Sequence, residues 1–500
     1  MLTAAVYVIA FIVSYAVLKW FRKRWEHHGS AKTSQHPPPP CLPYLPIVGS
    51  LPFIPNPKKF FIHMMTESKK LGNVIAFYMG SQYIVVLNGR KTIEKALVGK
   101  SLTFASRPSN FIFRLYNPNH KGGILQHPFN EKFRKYHKMC LNVLKNFGLG
   151  QTHMESRITS ELEHFLQKIK LKEGKSFNPE RELQLTFFNV ISSILFGKRW
   201  SSEDPEFHNV MKLGDVFVRS YILTFFPFLR FFPYFRGQLK LLVDSFRTFN
   251  MFLERNLRSA TDEETFYKQL IEEAQKTSDE SDSASLVDDE QLRMIVRDMT
   301  FGGTETASTT MRWLLVYMAN YQDVQEQMKE EVHRVVGLDR FPSYDDKSKM
   351  PITEACILEV MRIRTLAPTS LPHLTLNDCV IDGKYIRGGT TVLPNLYSAH
   401  MDPQAWNEPE KFKVERFLSN DQREVINRNL VIPFSLGKRS CLGEPLARVE
   451  LFLSVSTLIQ HFQVLPPEGE EEVLVKEVFG TTVTPSPYKI RLVERTEVKL

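Results

Sequence analysis

One decapeptide constrains this chain more than anything else in it: Phe434-Ser435-Leu436-Gly437-Lys438-Arg439-Ser440-Cys441-Leu442-Gly443, followed by Glu444-Pro445-Leu446-Ala447-Arg448 and an apolar run of helical spacing. A lone cysteine is ordinarily a small buried hydrophobe, and that reading suits Cys41, Cys140, Cys356 and Cys379. Cys441 differs in its surroundings. Glycines beside it let backbone approach a sulfur closely, the following helix offers its first amides to a thiolate, and Arg439 brings positive charge; each favours S⁻ over SH. Any fold of this chain must therefore present one thiolate where a helix begins. The five cysteines have no regular spacing, which excludes a disulfide framework and a paired CxxC metal site and points to reduced thiols on the cytosolic side.

The N-terminus imposes a second constraint. From Met1 to Leu18 there is no Asp, Glu, Lys or Arg, and the apolar run reaches Phe21 before the basic cluster Arg22, Lys23, Arg24. About 20 apolar residues cross a bilayer, so residues 1–21 are expected to be an uncleaved transmembrane anchor. A signal peptide, the competing reading, wants its positive charge before the run and a small-residue cleavage site after it. Positive charge after the span puts the body in the cytosol. Residues 22–50 then read as a basic, proline-rich hinge, stiffened by Pro37 to Pro40, Pro43 and Pro46, or as an ordinary linker. Residues 51–500 are left as one catalytic domain, since no internal repeat or boundary divides them. The net charge of +9 comes from scattered residues with no nucleic-acid-binding pattern, so a membrane surface or an acidic protein explains it better than nucleic acid.

Along the body, Val74 to Tyr78 and Tyr83 to Leu87 read as a hairpin around Met79-Gly80-Ser81-Gln82. Helix is expected to dominate as far as about residue 365, in an α+β arrangement that is mainly α with small β-sheets at both ends. The acidic, serine-rich stretch 277–290 reads as a solvated connection before a long helix carrying Leu292, Ile295, Val296 and Met299. Short strands are expected at Val380 to Tyr385 and Thr390 to Leu393, with a final pair near Gly480 to Leu492. The aromatic cluster Phe225, Phe226, Phe228, Phe231, Phe232, Tyr234 and Phe235, broken by Pro227 and Pro233, suits an interfacial contact, the roof of an apolar pocket, or plain core packing.

The sequence F-x-x-G-x-R-x-C-x-G, filled at every fixed position from Phe434 to Gly443, resembles the heme-binding loop of the cytochrome P450 family. A thiolate suits an iron that must cleave an O–O bond, because its electron donation favours heterolysis. The resemblance implies Cys441 as the proximal ligand to heme b and Arg439 as a partner of a heme propionate. Within the long helix, Gly302-Gly303-Thr304-Glu305-Thr306 is similar to the family's oxygen-activation motif. Each interior glycine costs about 1 kcal/mol, and close approach of the helix to a flat cofactor, with a local widening, would account for two in succession. Glu305 and Thr306 would then be the acid and alcohol that relay protons to dioxygen as it is reduced; a threonine bonded to its own helix is the plain alternative.

Glu359-Val360-Met361-Arg362 resembles the family's E-x-x-R pair, and Phe412-Lys413-Val414-Glu415-Arg416-Phe417 its P-E-R-F segment with valine in the proline place. The resemblance implies a buried Glu359–Arg362–Arg416 network that is structural, since stranding any one charge would cost several kcal/mol. Where many members have W-x-x-x-R for a propionate, this chain has Phe133 and His137, and Pro372-His373 matches another propionate position. Exposed basic residues on an ordinary helix are the alternative for His137.

The chain is most similar to microsomal enzymes of the drug- and steroid-hydroxylating group. That similarity implies an endoplasmic reticulum membrane location, electrons from NADPH through a flavoprotein reductase, cytochrome b5 as a possible second donor, and an apolar substrate such as a steroid, fatty acid or xenobiotic. Lys438, Arg439 and Arg448 are candidates for docking the acidic reductase. A heme-thiolate isomerase or dehydratase, or a non-catalytic heme carrier, would not need the intact Glu305-Thr306 pair.

Overall fold

The run VIAFYM has no polar residue to turn towards water, and in the computed structural model both faces of the sheet it enters are covered. Val74–Met79 (β1) pairs antiparallel with Gln82–Leu87 (β2), from Val74↔Leu87 to Met79↔Gln82. The turn is thus the two residues Gly80-Ser81, shorter than expected, because Met79 and Gln82 still pair. Val74, Ala76, Val85 and Leu87 face one apolar cluster, while Ile75, Phe77, Ile84 and Val86 face another. Continuous apolar runs are what a sheet buried on both faces requires.

The structure describes residues 35–116, 123–147, 152–260, 264–277 and 289–495. The helices are α1 (Phe60–Leu71), α2 (Arg90–Glu94), α3 (Phe111–Tyr116), α4 (Glu131–Asn146), α5 (Thr152–Lys170), α6 (Glu180–Phe196) and α7 (Pro205–Ser220). They continue as α8 (Pro233–Ser259), α9 (Phe266–Thr277), α10 (Asp289–Asn320), α11 (Gln322–Val335), α12 (Pro351–Ile363), α13 (Leu396–His400) and α14 (Glu444–His461). The largest apolar cluster joins α4 to α12 and α14, so the expected mainly helical body with small sheets is what the chain forms.

The first sheet is completed by Thr391–Pro394 (β6), parallel to β2, and by His373–Leu374 (β3), antiparallel to β6. Val380 to Tyr385 is not one strand. Cys379–Ile381 (β4) and Lys384–Ile386 (β5) form a hairpin whose turn residues Asp382 (φ 45) and Gly383 (φ 73) are both left-handed, as a tight Asp-Gly turn demands. The expected final pair also divides: Glu477–Phe479 (β8) pairs with Val483–Pro485 (β9), whereas Arg491–Glu494 (β10) pairs with Phe462–Leu465 (β7). No turn signal separates β7 from α14, so its apolar residues read as more helix.

The described part of the proline-rich stretch runs extended along the edge of β1. The Ala76 amide donates to the Pro40 carbonyl (2.8 Å), the Leu42 amide to Ala76 (2.9 Å) and the Ser50 amide to Tyr78 (2.7 Å). Prolines tolerate this place because it is an edge. Among the described residues no helix is long and apolar enough to cross a membrane. The run 1–21 lies outside the described residues, as does most of the acidic stretch before α10.

Candidate active site

The cysteine loop is closed by the Cys441 amide, which donates to the Phe434 carbonyl at 2.9 Å. It turns sharply at Gly437 (φ 77), where a Cβ would lie 1.9 Å from the Leu97 carbonyl oxygen, so only glycine fits. Gly443 has no such constraint: a Cβ there would meet the Cys441 Sγ at an ordinary 3.9 Å. Gly443 instead caps α14, and its amide and that of Glu444 donate to the sulfur. Of the five cysteines Cys441 alone is exposed, yet enough protein surrounds it that desolvation pushes the thiol above its ordinary value, against the pull of those amides.

Arg439 does not bring its charge to the sulfur as expected. Its Nε donates to the Ala105 carbonyl (2.5 Å), Nη1 to Ile124 (3.0 Å) and Nη2 to His127, and its guanidinium lies 3.6 Å above the Phe133 ring. Phe133 thus takes over the stacking that an indole would offer. At 8% exposure Arg439 is also buried, which removes it from the residues able to dock a partner. Lys438 is exposed, and Arg448 is half-buried, 2.8 Å from Glu444.

A second arginine, which the sequence did not single out, stands beside the first. The Leu374 amide donates to the Ser106 carbonyl (2.9 Å), bringing Arg107 next to His373, and Arg107 Nη1 donates to the Leu371 (3.1 Å) and Pro372 (2.9 Å) carbonyls. The available signal was a single charge, next to Pro108, in a stretch (101–113) with no other charged residue. The His373 Nδ1 donates to the Phe104 carbonyl (2.6 Å), leaving Nε2 as a bare lone pair. Both that Nε2 and the Arg107 Nε are buried without a partner among the described residues. Burial, then Arg107 and Arg439, hold His373 well below its ordinary pKa, so the imidazole is neutral. His137, with its ring 5.6 Å from Phe133, is lowered by burial and then by Arg439 and Lys438.

Two guanidiniums and orphaned polar atoms, with no carboxylate bonded to them among the described residues, form a site for an anion. A metal-bearing group that takes a soft sulfur ligand and carries carboxylate arms fits this donor set.

The helix α10 is continuously α-helical through Gly302 to Thr306, with no local widening. The two glycines have different reasons. A Cβ at Gly303 would press on Ile191 of α6 at 3.1 Å, so this glycine lets two helices pack; a Cβ at Gly302 would meet nothing within 4 Å, so this one faces open space. Thr306 Oγ1 donates to the Gly302 carbonyl (2.7 Å), and Thr309 Oγ1 donates to Glu305 Oε1 (3.0 Å). Three aromatic side chains pack together beside this part of α10: Phe113 of α3 and Phe217 of α7 (ring centroids 5.8 Å apart), then Phe217 and Phe301 of α10 (5.8 Å).

Glu359, Arg362 and Arg416 are brought together. Glu359 and Arg362 have no exposed surface; Arg362 Nε donates to Glu359 Oε2 (2.7 Å) and Nη2 to Oε1 (2.8 Å), and Arg416 Nε reaches Oε1 at 3.3 Å. Arg362 Nη1 also holds the carbonyls of His400 and Pro409, each at 2.8 Å. The His400 ring accepts from the Ile432 amide at 2.9 Å, two residues before Phe434. The network is therefore linked by hydrogen bonds to the root of the cysteine loop.

A sequence model described as cytochrome P450 matches residues 38–492. The chain is similar to cytochrome P450 2J3 of Rattus norvegicus (33% identical, covering 92% of this chain and 91% of the relative). It is also similar to cytochrome P450 2K4 of Oncorhynchus mykiss (32%, covering 93% and 94%) and cytochrome P450 2U1 of Homo sapiens (32%, covering 89% and 82%). With the family model across nine-tenths of its length and relatives of this coverage, the chain belongs to the cytochrome P450 family: it is a monooxygenase that binds heme b through a cysteine thiolate and, with NADPH electrons passed on by a flavoprotein reductase, inserts one atom of dioxygen into apolar organic substrates.

Proposed function

We propose that Cys441 is the thiolate ligand and that Arg107, Arg439, His373 and His137 bind the heme propionates, with Phe434 and Gly443 shaping the loop. The observation that carries this reading is a lone exposed cysteine, bonded by the amides of a helix start, on the same loop as buried Arg439, which stands beside buried Arg107 with no carboxylate bonded to either among the described residues. When bound, the heme supplies the iron at which dioxygen is reduced and one oxygen atom transferred. The Gly443 and Glu444 amides disperse charge on Sγ, which keeps the sulfur anionic once a metal has displaced its proton. Thr306 holds a proton on Oγ1, at present shared with the Gly302 carbonyl, and Glu305 is held by Thr309 one turn further on; together they serve as the proton relay. Glu359, Arg362 and Arg416 are structural. Phe113, Phe217 and Phe301 favour an apolar substrate such as a steroid, fatty acid or xenobiotic.

We read residues 1–21 as a single-pass anchor in the endoplasmic reticulum membrane, 22–50 as the hinge and 51–500 as a catalytic domain facing the cytosol. Exposed apolar side chains support a lipid-facing side: Phe231 (72%), Phe232 (56%) and Tyr234 (70%) follow closely on Phe225 and Phe226, which pack against Gly80 in the β1–β2 turn. Lys438 and Arg448 are candidates for docking NADPH–cytochrome reductase, with cytochrome b5 as a further donor for the same basic face. The deciding measurement is the reduced, carbon monoxide-bound difference spectrum of the protein beside Cys441→Ser. A red-shifted thiolate-type Soret band, lost in the variant, is expected; a band indifferent to Cys441 removes that residue from the iron.

A further inference from the structure

Five arginines are buried among the described residues: Arg107, Arg297, Arg312, Arg362 and Arg439. Four of them bond an oxygen. Arg312, on the same helix as Arg297, meets Glu180 Oε1 (2.9 Å) and the Pro485 carbonyl (2.9 Å); Arg362 holds Glu359; Arg107 and Arg439 donate to backbone carbonyls. Arg297 differs: among the described residues neither a carboxylate nor a carbonyl is bonded to its guanidinium, and its Nε is buried without a partner. The guanidinium lies 3.6 Å above the Tyr116 ring. The carboxylate next to it in sequence, Asp298, is engaged elsewhere, by the Tyr116 hydroxyl (2.9 Å) and the Ile124 and Leu125 amides (2.7 and 2.8 Å). Burial holds the Asp298 carboxyl above its ordinary value, and the charge of Arg297 opposes that only in part. Arg297 therefore keeps unused donors and an unpaired charge in a buried place, which is costly unless an anionic oxygen arrives to meet them.

The surroundings of Arg297 select the rest of such a molecule. Phe301 follows one helical turn further along the same face, against Phe217 (5.8 Å), which in turn meets Phe113 (5.8 Å). On the other side the Tyr116 ring meets Phe246 of α8 edge-on at 5.3 Å. The cation thus adjoins an aromatic wall, and the helix continues past Phe301 to the open space at Gly302. Thr306 lies about 13 Å further along the helix axis, and a helical side chain leans toward the N-terminus, so the guanidinium points away from Thr306.

We infer that Arg297 binds the carboxylate of an apolar acid whose tail lies along these aromatic side chains toward Gly302. This narrows the substrate class given above and rests on the reading that the space beside Gly302 and Thr306 is where dioxygen is reduced. Charge sets the preference. The acid gains a charged hydrogen bond that its methyl ester lacks, whereas a purely apolar site would favour the ester. The plain alternative is that Arg297 only balances Asp298 from a distance.

The test uses the heme-loaded full chain with dodecanoic acid and methyl dodecanoate, binding being read from the Soret shift and, independently, by calorimetry. Wild type should bind the acid about tenfold or more tightly than the ester. Arg297→Met should weaken the acid about tenfold to a hundredfold and leave the affinity for the ester as it was, while Arg297→Lys, which keeps the charge, should recover part of the loss. With NADPH and reductase, wild type should hydroxylate the acid toward its tail, because the head is held far along the helix from Thr306, and Arg297→Met should spread the product over more positions. Equal binding of acid and ester by wild type overturns the proposal without any variant. An Arg297→Met protein that loses both ligands alike, or neither, reduces Arg297 to charge balance and overturns it as well. If that variant does not fold, the wild-type ratio and Arg297→Lys still decide. A wild type without a thiolate-type spectrum sinks the heme assignment instead, while calorimetry of acid against ester still reads Arg297.

Discussion

Two buried arginine clusters in this molecule differ in one respect. Around Glu359, the guanidiniums of Arg362 and Arg416 share a carboxylate, and the surrounding carbonyls of His400 and Pro409 take further donors. Around Arg107 and Arg439 two positive charges adjoin without a carboxylate bonded to them among the described residues, and there the Arg107 Nε and His373 Nε2 have no partner. The histidines repeat the contrast. His400 uses both ring nitrogens, on Thr365 and the Ile432 amide, whereas His373 uses one. A buried polar group without a partner is costly, so a chain that satisfies one cluster and leaves the other open has shaped the second for something that arrives.

The largest effect should come from breaking the closed cluster. Glu359→Gln strands two buried guanidiniums and should cost about 3–5 kcal/mol, read as a large loss of thermal stability or of folded protein. The open cluster should respond oppositely. Arg107→Met removes an uncompensated buried charge, so the cofactor-free protein should be no less stable, while heme transfer to apomyoglobin should speed up by about tenfold to a hundredfold through loss of a charged hydrogen bond. If Arg107→Met instead unfolds the protein and leaves heme transfer unchanged, the two clusters are alike and the contrast is lost.

Acid should sharpen the comparison. Burial, then Arg362 and Arg90, hold His400 down at about 3, below its unfolded value of about 6.5. The unfolded chain therefore takes up the proton first, and stability present above about pH 6.5 falls by up to about 1.4 kcal/mol per pH unit as the pH drops towards 3. His373 is lowered in the same direction in the protein without its cofactor, but a propionate beside it would raise its pKa and remove its share of the loss. Acid denaturation followed with and without heme should thus be steeper without it, and His373→Gln should narrow that difference.

The smallest effect separates the two glycines of α10. Gly302→Ala should stabilise the fold by up to about 1 kcal/mol, since its Cβ meets nothing, whereas Gly303→Ala should gain less or lose as it presses on Ile191. Paired thermal melts would decide; equal gains would mean that the approach of α10 to α6 is not tight.

Much of this site was legible in the chain because its parts are local. The cysteine loop, the Glu359–Arg362 spacing on one helix face and the Glu305-Thr306 pair each occupy one turn or one helix, so residue type and spacing carry them. Strand boundaries near residue 380 and the identity of the last pair were less legible, because β10 finds its partner in β7, which follows α14 without punctuation. Arg107 and Asp298 were not legible at all. Their partners are far along the chain: Arg107 meets Leu371 and Pro372, and Asp298 meets Ile124.

By itself the sequence determined the fold class and the local parts of the site: a lone cysteine at a helix start, a mainly helical body with small sheets, and an acid and alcohol side by side on a long helix. Only the tertiary structure decided how charge is shared out, because a guanidinium has the same sequence signature whether it bonds a carboxylate, three carbonyls or nothing. It turned Arg439 from the sulfur to the carbonyls of Ala105, Ile124 and His127, gave Gly303 to helix packing and Gly302 to open space, and brought Tyr116, Ile124 and Leu125 to Asp298. Those outcomes depend on which distant backbone groups come to lie within about 3 Å, a property of packing that no local pattern encodes.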